Sequence, residues 1–462
     1  MQTQGKFPKR AEASALAAKK RKQEEAMKLT SRSRSAAILA VLSVLSLLLL
    51  QTAQAQTEND LYNFCSGGGS CSDGAAPIGP LAADAYGNLD GTSISGGTNG
   101  SGTVFGLFPE PAGGCEAGTN SGNGWCEFVL YNFCSLANCV DGSEPLGNVS
   151  YLNAHFSRPG NLYGTAYFGG STNSGVVFEI SSKPIESGCP TGSNTSGGWC
   201  ETVLYNFCTD IFGDTCLDGS HPFGNLVEDS AGNLYGTNAN EVFELSPDQQ
   251  GGWDWQLAYA DDFVQGGLAI DGADNLYGVD ADSVLGQGNV FKIALSQRGY
   301  PETNIYTFSG SEGFPNGPVA VDSDGNVYGT TIGGGSKNLG TVWKLTPVTG
   351  KKGITYTKKV LHTFAAEKSG EYPGGGVLLD SSGNIYSTTI EGGGTECLGG
   401  CGTVFELVAD GDTYKFKILW RFNGTDGAEP QTYPFLNSAG DLLGLTSAGG
   451  SNNMGTMYQV TP

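Results

Sequence analysis

One six-residue phrase, Gly-Asn-Leu-Tyr-Gly-Thr, returns along this chain and decides most of what it can fold into. It stands complete at residues 160–165 and 232–237, with one substitution at 325–330 and two at 383–388. Shorter copies lie at 87–89, 274–277 and 440–442, which makes seven. Self-similarity at a regular spacing is the mark of a repeat architecture, so it is read before any single element.

Each copy is followed, usually after a Gly-rich loop, by a second block of the kind Thr103-Val104-Phe105, Val176-Val177-Phe178 or Thr341-Val342-Trp343. A third block precedes the next copy, as in Leu130-Tyr131-Asn132-Phe133, Leu204-Tyr205-Asn206-Phe207 and Leu361-His362-Thr363-Phe364. A further apolar run, such as Gly267-Leu268-Ala269-Ile270, Val319-Ala320-Val321 or Val377-Leu378-Leu379, stands just before the phrase. Short blocks rich in β-branched and aromatic residues, bounded by Gly, Asn, Asp and Pro, read as strands. We letter them a (the apolar run), b (the phrase), c (Thr-Val-Phe) and d (Leu-Tyr-Asn-Phe). No helical period competes with them after residue 55, and 73 of the 462 residues are Gly, more than twice the usual share of about 7%. Four strands repeated radially are propeller blades. The ends of the chain agree: a d-type strand, Leu61-Tyr62-Asn63-Phe64, comes first with no a, b or c before it, and the last repeat stops after its c strand at Tyr458-Gln459-Val460. The expected fold is therefore an all-β propeller of seven four-stranded blades, closed by the N-terminal strand so that no sheet edge is left open at the seam.

Charge divides the chain in two. The first 55 residues hold ten Lys and Arg against three Glu; the remainder keeps 14 basic and 43 acidic residues, a net of about −29. The basic stretch leads into an apolar segment, residues 36–50, and then Ala53-Gln54-Ala55, which has the form of a signal-peptidase site. Residues 1–55 are expected to be an export signal, with Met27 as an alternative start, and 56–462 one propeller domain. The acidic balance argues against nucleic acid and anionic membrane as partners. A monomer, secreted or held at the cell surface or in the periplasm, is expected.

All twelve cysteines follow the signal and fall into close pairs: Cys65 with Cys71, Cys115 with Cys126, Cys134 with Cys139, Cys189 with Cys200, Cys208 with Cys216, and Cys397 with Cys401. An even set in an exported chain reads as disulfides, and the spacings are not those of a zinc site.

The sequence Gly-Asn-Leu-Tyr-Gly-Thr, then Gly-Gly, then Gly-Thr-Val-Phe and a later Leu-x-x-Phe resembles the GloVer (Gloeobacter and Verrucomicrobia type) tandem repeats of exported bacterial proteins. The resemblance implies an exported repeat protein and carries no assigned chemistry, so no catalytic residue comes with it.

Two sets of carboxylates recur. Asp84, Asp229, Asp271, Asp322 and Asp380, with Ser157 and Asn437 in the sister repeats, precede the Gly-Asn turn by three residues. Their interchange with Ser and Asn fits Asx turns better than calcium loops. The second set lies between d and the next a: Asp73, Asp141 with Glu144, Asp218 with His221, and Asp426 with Glu429, each in an Asp-Gly-x-x-Pro stretch. These loops share one face with the b-to-c loops. They are the candidate ligand residues, close to a channel lined by the a strands, although Asp-Gly before Pro is also a good turn. No cofactor is required by any of these residues, and calcium stays open.

Trp125, Trp199, Trp253 and Trp255 suit packing against disulfides or blade edges better than stacking on sugars. The Gly-rich b-to-c loops lack the Lys-Ser/Thr ending and helix of a nucleotide site. His155, His221 and His362 are scattered, and no nucleophile elbow or metal-protease pair is present. The function expected is non-catalytic binding or scaffolding of an extracellular glycan or protein. The alternative is a carbohydrate-active hydrolase or lyase using channel carboxylates.

Overall fold

The computed structural model describes residues 56–462 apart from 85, 113, 116–119, 122, 153–159, 183–188, 190–193, 197, 214, 239, 249, 261–263, 282–287, 296–299, 352 and 366–368. The expected leader, with His155 and Ser157, lies outside the described residues.

Antiparallel a-b-c-d sheets follow one another along the chain, and seven of them close into a β-propeller. Blade 1 runs Ala75–Ala83, Leu89–Ser95, Thr103–Pro109 and Trp125–Asn132. Blade 2 runs Ser150–Tyr151, Leu162–Ala166, Val176–Ser182 and Trp199–Asn206. Blade 3 occupies Phe223–Glu228 to Trp253–Ala260, blade 4 Val264–Ile270 to Glu302–Phe308, and blade 5 Phe314–Val321 to Gly353–Thr363. Blade 6 runs from Leu378–Leu379 to Thr413–Arg421, and blade 7 takes Phe435–Leu436, Leu442–Thr446 and Thr456–Thr461. Its fourth strand is Thr57–Asn63, which pairs antiparallel with the C-terminal strand from Thr57 opposite Thr461 to Asn63 opposite Thr456. The ring is shut by its own two ends, as the sequence implied.

Every letter of the repeated phrase has a physical task. In blade 5, Gly325 turns the chain at φ 76°, Asn326 donates its amide to Asp322 at 2.7 Å, and the Tyr328 hydroxyl donates to the same carboxylate at 2.9 Å. Blades 3, 4 and 6 repeat the Tyr-to-Asp bond at Asp229, Asp271 and Asp380. These Asp side chains also accept from backbone N–H groups two and four residues on, which is Asx-turn geometry. The second Gly of the phrase lies under the aromatic ring of strand c: a methyl group at Gly164 would come within 2.6 Å of Phe178, and one at Gly329 within 2.5 Å of Trp343. The closing Thr reaches inward, as Thr237 does in donating to Gly266 O of the next blade at 2.9 Å.

Apolar burial lies between blades rather than within them. Phe105 and Leu107 of blade 1 pack with Tyr62, Leu443 and Met457 of blade 7, and equivalent clusters fill the other junctions. Burying one such side chain contributes roughly 1.5–3 kcal/mol, so each junction is a small core of its own. All six expected cysteine pairs are bonded, and Cys397–Cys401 packs into the core between blades 6 and 7. Among the described residues no helix is long and apolar enough to cross a membrane.

Candidate functional site

The recurrent loop carboxylates are placed one by one at blade junctions, not gathered around the axis. Asp73, Asp141 and Asp218 are almost fully buried. Asp141 accepts from the Tyr131 hydroxyl at 2.8 Å, from Ser135 N at 2.7 Å and from Leu136 N at 3.3 Å. Asp73 takes Tyr62 and Ser66 N, and Asp218 takes Tyr205, Thr209 N and Asp210 N, in the same arrangement. Asp426 uses Trp420 Nε1 and Asn423, and burial pushes its carboxyl up. Each acid thus ties the end of a d strand to the loop leading into the next blade.

Glu144, His221 and Glu429 come just before the loop prolines, with φ of 54°, 57° and 56°. Their backbone N–H groups donate across the junction to Ser101, Ser174 and Cys401. The prolines then press on a glycine of the preceding blade: a methyl group at Gly175 would meet Pro222 Cδ at 2.4 Å. His221 packs on Tyr167 and Phe168, with ring centroids 4.8 and 5.3 Å away, and burial lowers its pKa. His362 lies stacked on Phe416 at 3.8 Å, where burial holds its pKa down to about 4. Trp125, Trp199, Trp253 and Trp255, all part-buried, pack against inter-blade cores.

A cavity of about 380 Å³ does lie on the axis, and every blade contributes to its wall. It is lined just past the loop prolines, by Ile78-Gly79-Pro80, Leu146 and Asn148, Phe223-Gly224-Asn225 and Asn316-Gly317-Pro318 among others. Here strand a departs from a simple strand. Its register against b slips between Ile78 and Ala82, and again between Asn316 and Ala320, so the intervening backbone bulges toward the axis. Glycine is required at the bulge. Gly79, Gly224, Gly266 and Gly317 have φ between 73° and 84°. Added methyl groups would meet the next blade's backbone: at Gly224 they would lie 2.8 Å from Gly266 O, and at Gly317 2.6 Å from Gly376 N.

The described lining residues include no Lys, Arg, His, Asp or Glu. Their polar side chains are Asn148, Asn225, Asn316, Gln431, Thr432 and Tyr433, the last with its phenol pKa raised by burial. Sequence reasoning placed the a strands around the channel but overlooked this wall, whose signal is the x-Gly-x that follows the loop prolines Pro77, Pro145, Pro222, Pro315 and Pro373.

The Gloeobacter/Verrucomicrobia repeat model matches residues 263–462. Those residues belong to the Gloeobacter/Verrucomicrobia repeat family. The matched GloVer segment spans blades 4 to 6 and the three C-terminal strands of blade 7. No curated protein sequence matches the chain. Among solved structures, a catalytically inactive virginiamycin B lyase from Staphylococcus aureus with quinupristin is 13% identical, covers 88% of this chain and 99% of its own, and gives a TM-score of 0.50. The selenomethionine form of virginiamycin B lyase from the same organism is 11% identical over 88% of this chain and 99% of its own, with a TM-score of 0.49. A gluconolactonase from Xanthomonas campestris is 12% identical over 57% of this chain and 75% of its own, with a TM-score of 0.35. At such identity the likeness concerns the fold.

Proposed function

We propose that this GloVer propeller is an exported, monomeric, non-catalytic binding protein that holds an extracellular glycan in its axial cavity. The observation that carries the reading is the composition of that cavity: all seven blades converge there, and the described wall offers amides, glycines and apolar side chains rather than paired carboxylates. Acid–base hydrolysis of a glycoside needs two carboxyl groups flanking the scissile bond. The acids singled out by the repeats are instead engaged in junction bonds. Six disulfides fit an oxidising compartment.

The test is a thermal-shift screen of the purified, oxidised protein against oligosaccharides, calcium and other divalent cations, with chromatography of the saccharides afterwards. A ligand of the native state raises apparent stability by mass action. A saturable shift with the saccharide recovered intact is expected. Cleaved saccharide contradicts the non-catalytic reading, and no shift with any saccharide contradicts the glycan.

A further inference from the structure

Resting on that reading, we infer that the axial cavity selects neutral, hydroxyl-rich saccharides over anionic ones, because its amides hold uncommitted acceptor oxygens and its described wall, in an acidic domain, offers no cation. Asn148 Nδ2 donates to Val149 O at 3.2 Å, Asn316 Nδ2 to Gly374 O at 2.8 Å and Gln431 Nε2 to Ser447 Oγ at 2.9 Å. A backbone carbonyl can only accept, so it fixes which branch of the amide faces it. Ser447 Oγ spends its own hydrogen on Glu429 O at 3.1 Å, which makes it an acceptor toward Gln431 as well. What is left on each amide is its oxygen and one N–H of the NH2 group, and no described residue donates to the oxygens of Asn148, Asn316 or Gln431.

These three side chains come from blades 2, 5 and 7, so the acceptors are spread around the wall. Saccharide hydroxyls are donors that match them. Carboxylate, sulfate and phosphate groups are acceptors only, find no cation on the described wall, and enter a domain of net charge about −29. Ile78, Leu146 and Phe223 offer apolar surface between the amides for the C–H faces of a sugar ring. The volume of about 380 Å³ lies within the usual range for small-ligand pockets, roughly 300–1,000 Å³.

Isothermal titration of the oxidised protein should compare cellotriose, maltotriose, xylotriose and chitotriose with trigalacturonate, and with spermidine as a cationic donor lacking hydroxyls. At least one neutral trisaccharide is expected to bind, at least tenfold more tightly than trigalacturonate or spermidine. Asn148→Ala and Asn316→Ala should each weaken it by roughly tenfold. Tyr86→Ala, at a 91% exposed position in an a-to-b turn, should not. Melting curves show whether each variant is folded, and two variants on different blades guard against the failure of either one. Tighter binding of trigalacturonate or spermidine overturns the selectivity; with trigalacturonate the glycan reading survives. Full binding by both folded Asn variants also overturns it. Absence of binding by every saccharide overturns the proposed function itself, and the selectivity with it.

Discussion

Two junctions of the ring, between blades 1 and 2 and between blades 3 and 4, share an apolar core and differ in the loops above it. At the first, Cys134–Cys139 closes the loop, Tyr131 and Ser135 fasten Asp141, Glu144 N–H reaches back to Ser101, and Pro145 packs on Gly102. At the second, among the described residues, none of these devices recurs. An apolar cluster of Val242, Leu268, Phe291 and Ile293, the Thr237 bond to Gly266 O and the Asn225 bond to Leu268 O hold the blades there, whereas the first junction adds its loop devices to a like cluster and a Thr92 bond to Gly147 O. An apolar core is therefore enough to seat one blade on the next. The Asp, Gly-Pro and disulfide set rigidifies the loops at one end of the ring, beside the axial cavity.

The sharpest way to break this contrast is to fill a glycine that faces a proline. Gly102→Ala imposes a side chain at φ 94° and against Pro145, and is expected to cost about 3 kcal/mol in urea unfolding. Asn240→Ala, at the matching place in blade 3, should cost less than about 0.5 kcal/mol. Equal losses would show that the two junctions share one mechanism.

Asp141→Ala comes next. It leaves the buried Tyr131 hydroxyl and Ser135 N–H without their acceptor and should lower stability by about 2 kcal/mol. An unchanged unfolding midpoint would deny the latch.

The closing strand of blade 7 allows a pH test. Glu58, on the closing strand, has its carboxyl pushed up to about 8 by burial first, and then by Asp426 and Asp60. The folded state keeps a proton there that the unfolded chain releases above its ordinary carboxyl pKa of 4.5. Stability should thus fall as pH rises from 4.5 toward 8 and level off beyond. In Glu58→Gln that part of the slope should vanish, so the variant gains on the parent with rising pH. The gain is modest because solvent reaches part of the group. A constant difference in melting temperature from pH 4 to 9 would contradict the account.

Smallest of all is Ser230→Ala. It removes an exposed bond to Asp274 across the blade 3–4 junction and should change stability by less than about 0.5 kcal/mol, measured by the same urea titration.

The contrast also explains what could be read from the sequence. Blade number, strand order and closure by residues 57–63 were legible because each letter of Gly-Asn-Leu-Tyr-Gly-Thr answers a backbone or packing demand that recurs in blade after blade. The same recurrence made Asp73, Asp141, Asp218 and Asp426 look like ligand groups. A residue repeated at several junctions serves what those junctions share, which is holding blades together. The cavity wall was harder to see because the blades differ there: Asn148, Asn225, Asn316 and Gln431 stand where blades 4 and 6 have Gly267 and Gly374. Repeats expose the scaffold, and sites built where repeats diverge fall outside a search for likeness.

The most direct test sets Asp141→Ala beside Asn148→Ala, seven residues apart in the same stretch of chain, and measures both melting temperature and affinity for the tightest-binding neutral trisaccharide. The two variants should behave oppositely. Asp141→Ala melts earlier and binds as the parent does; Asn148→Ala melts as the parent does and binds about tenfold more weakly. Loss of binding in a normally folded Asp141→Ala, with Asn148→Ala unaffected, would return the site to the loop carboxylates and contradict the separation of latch from cavity.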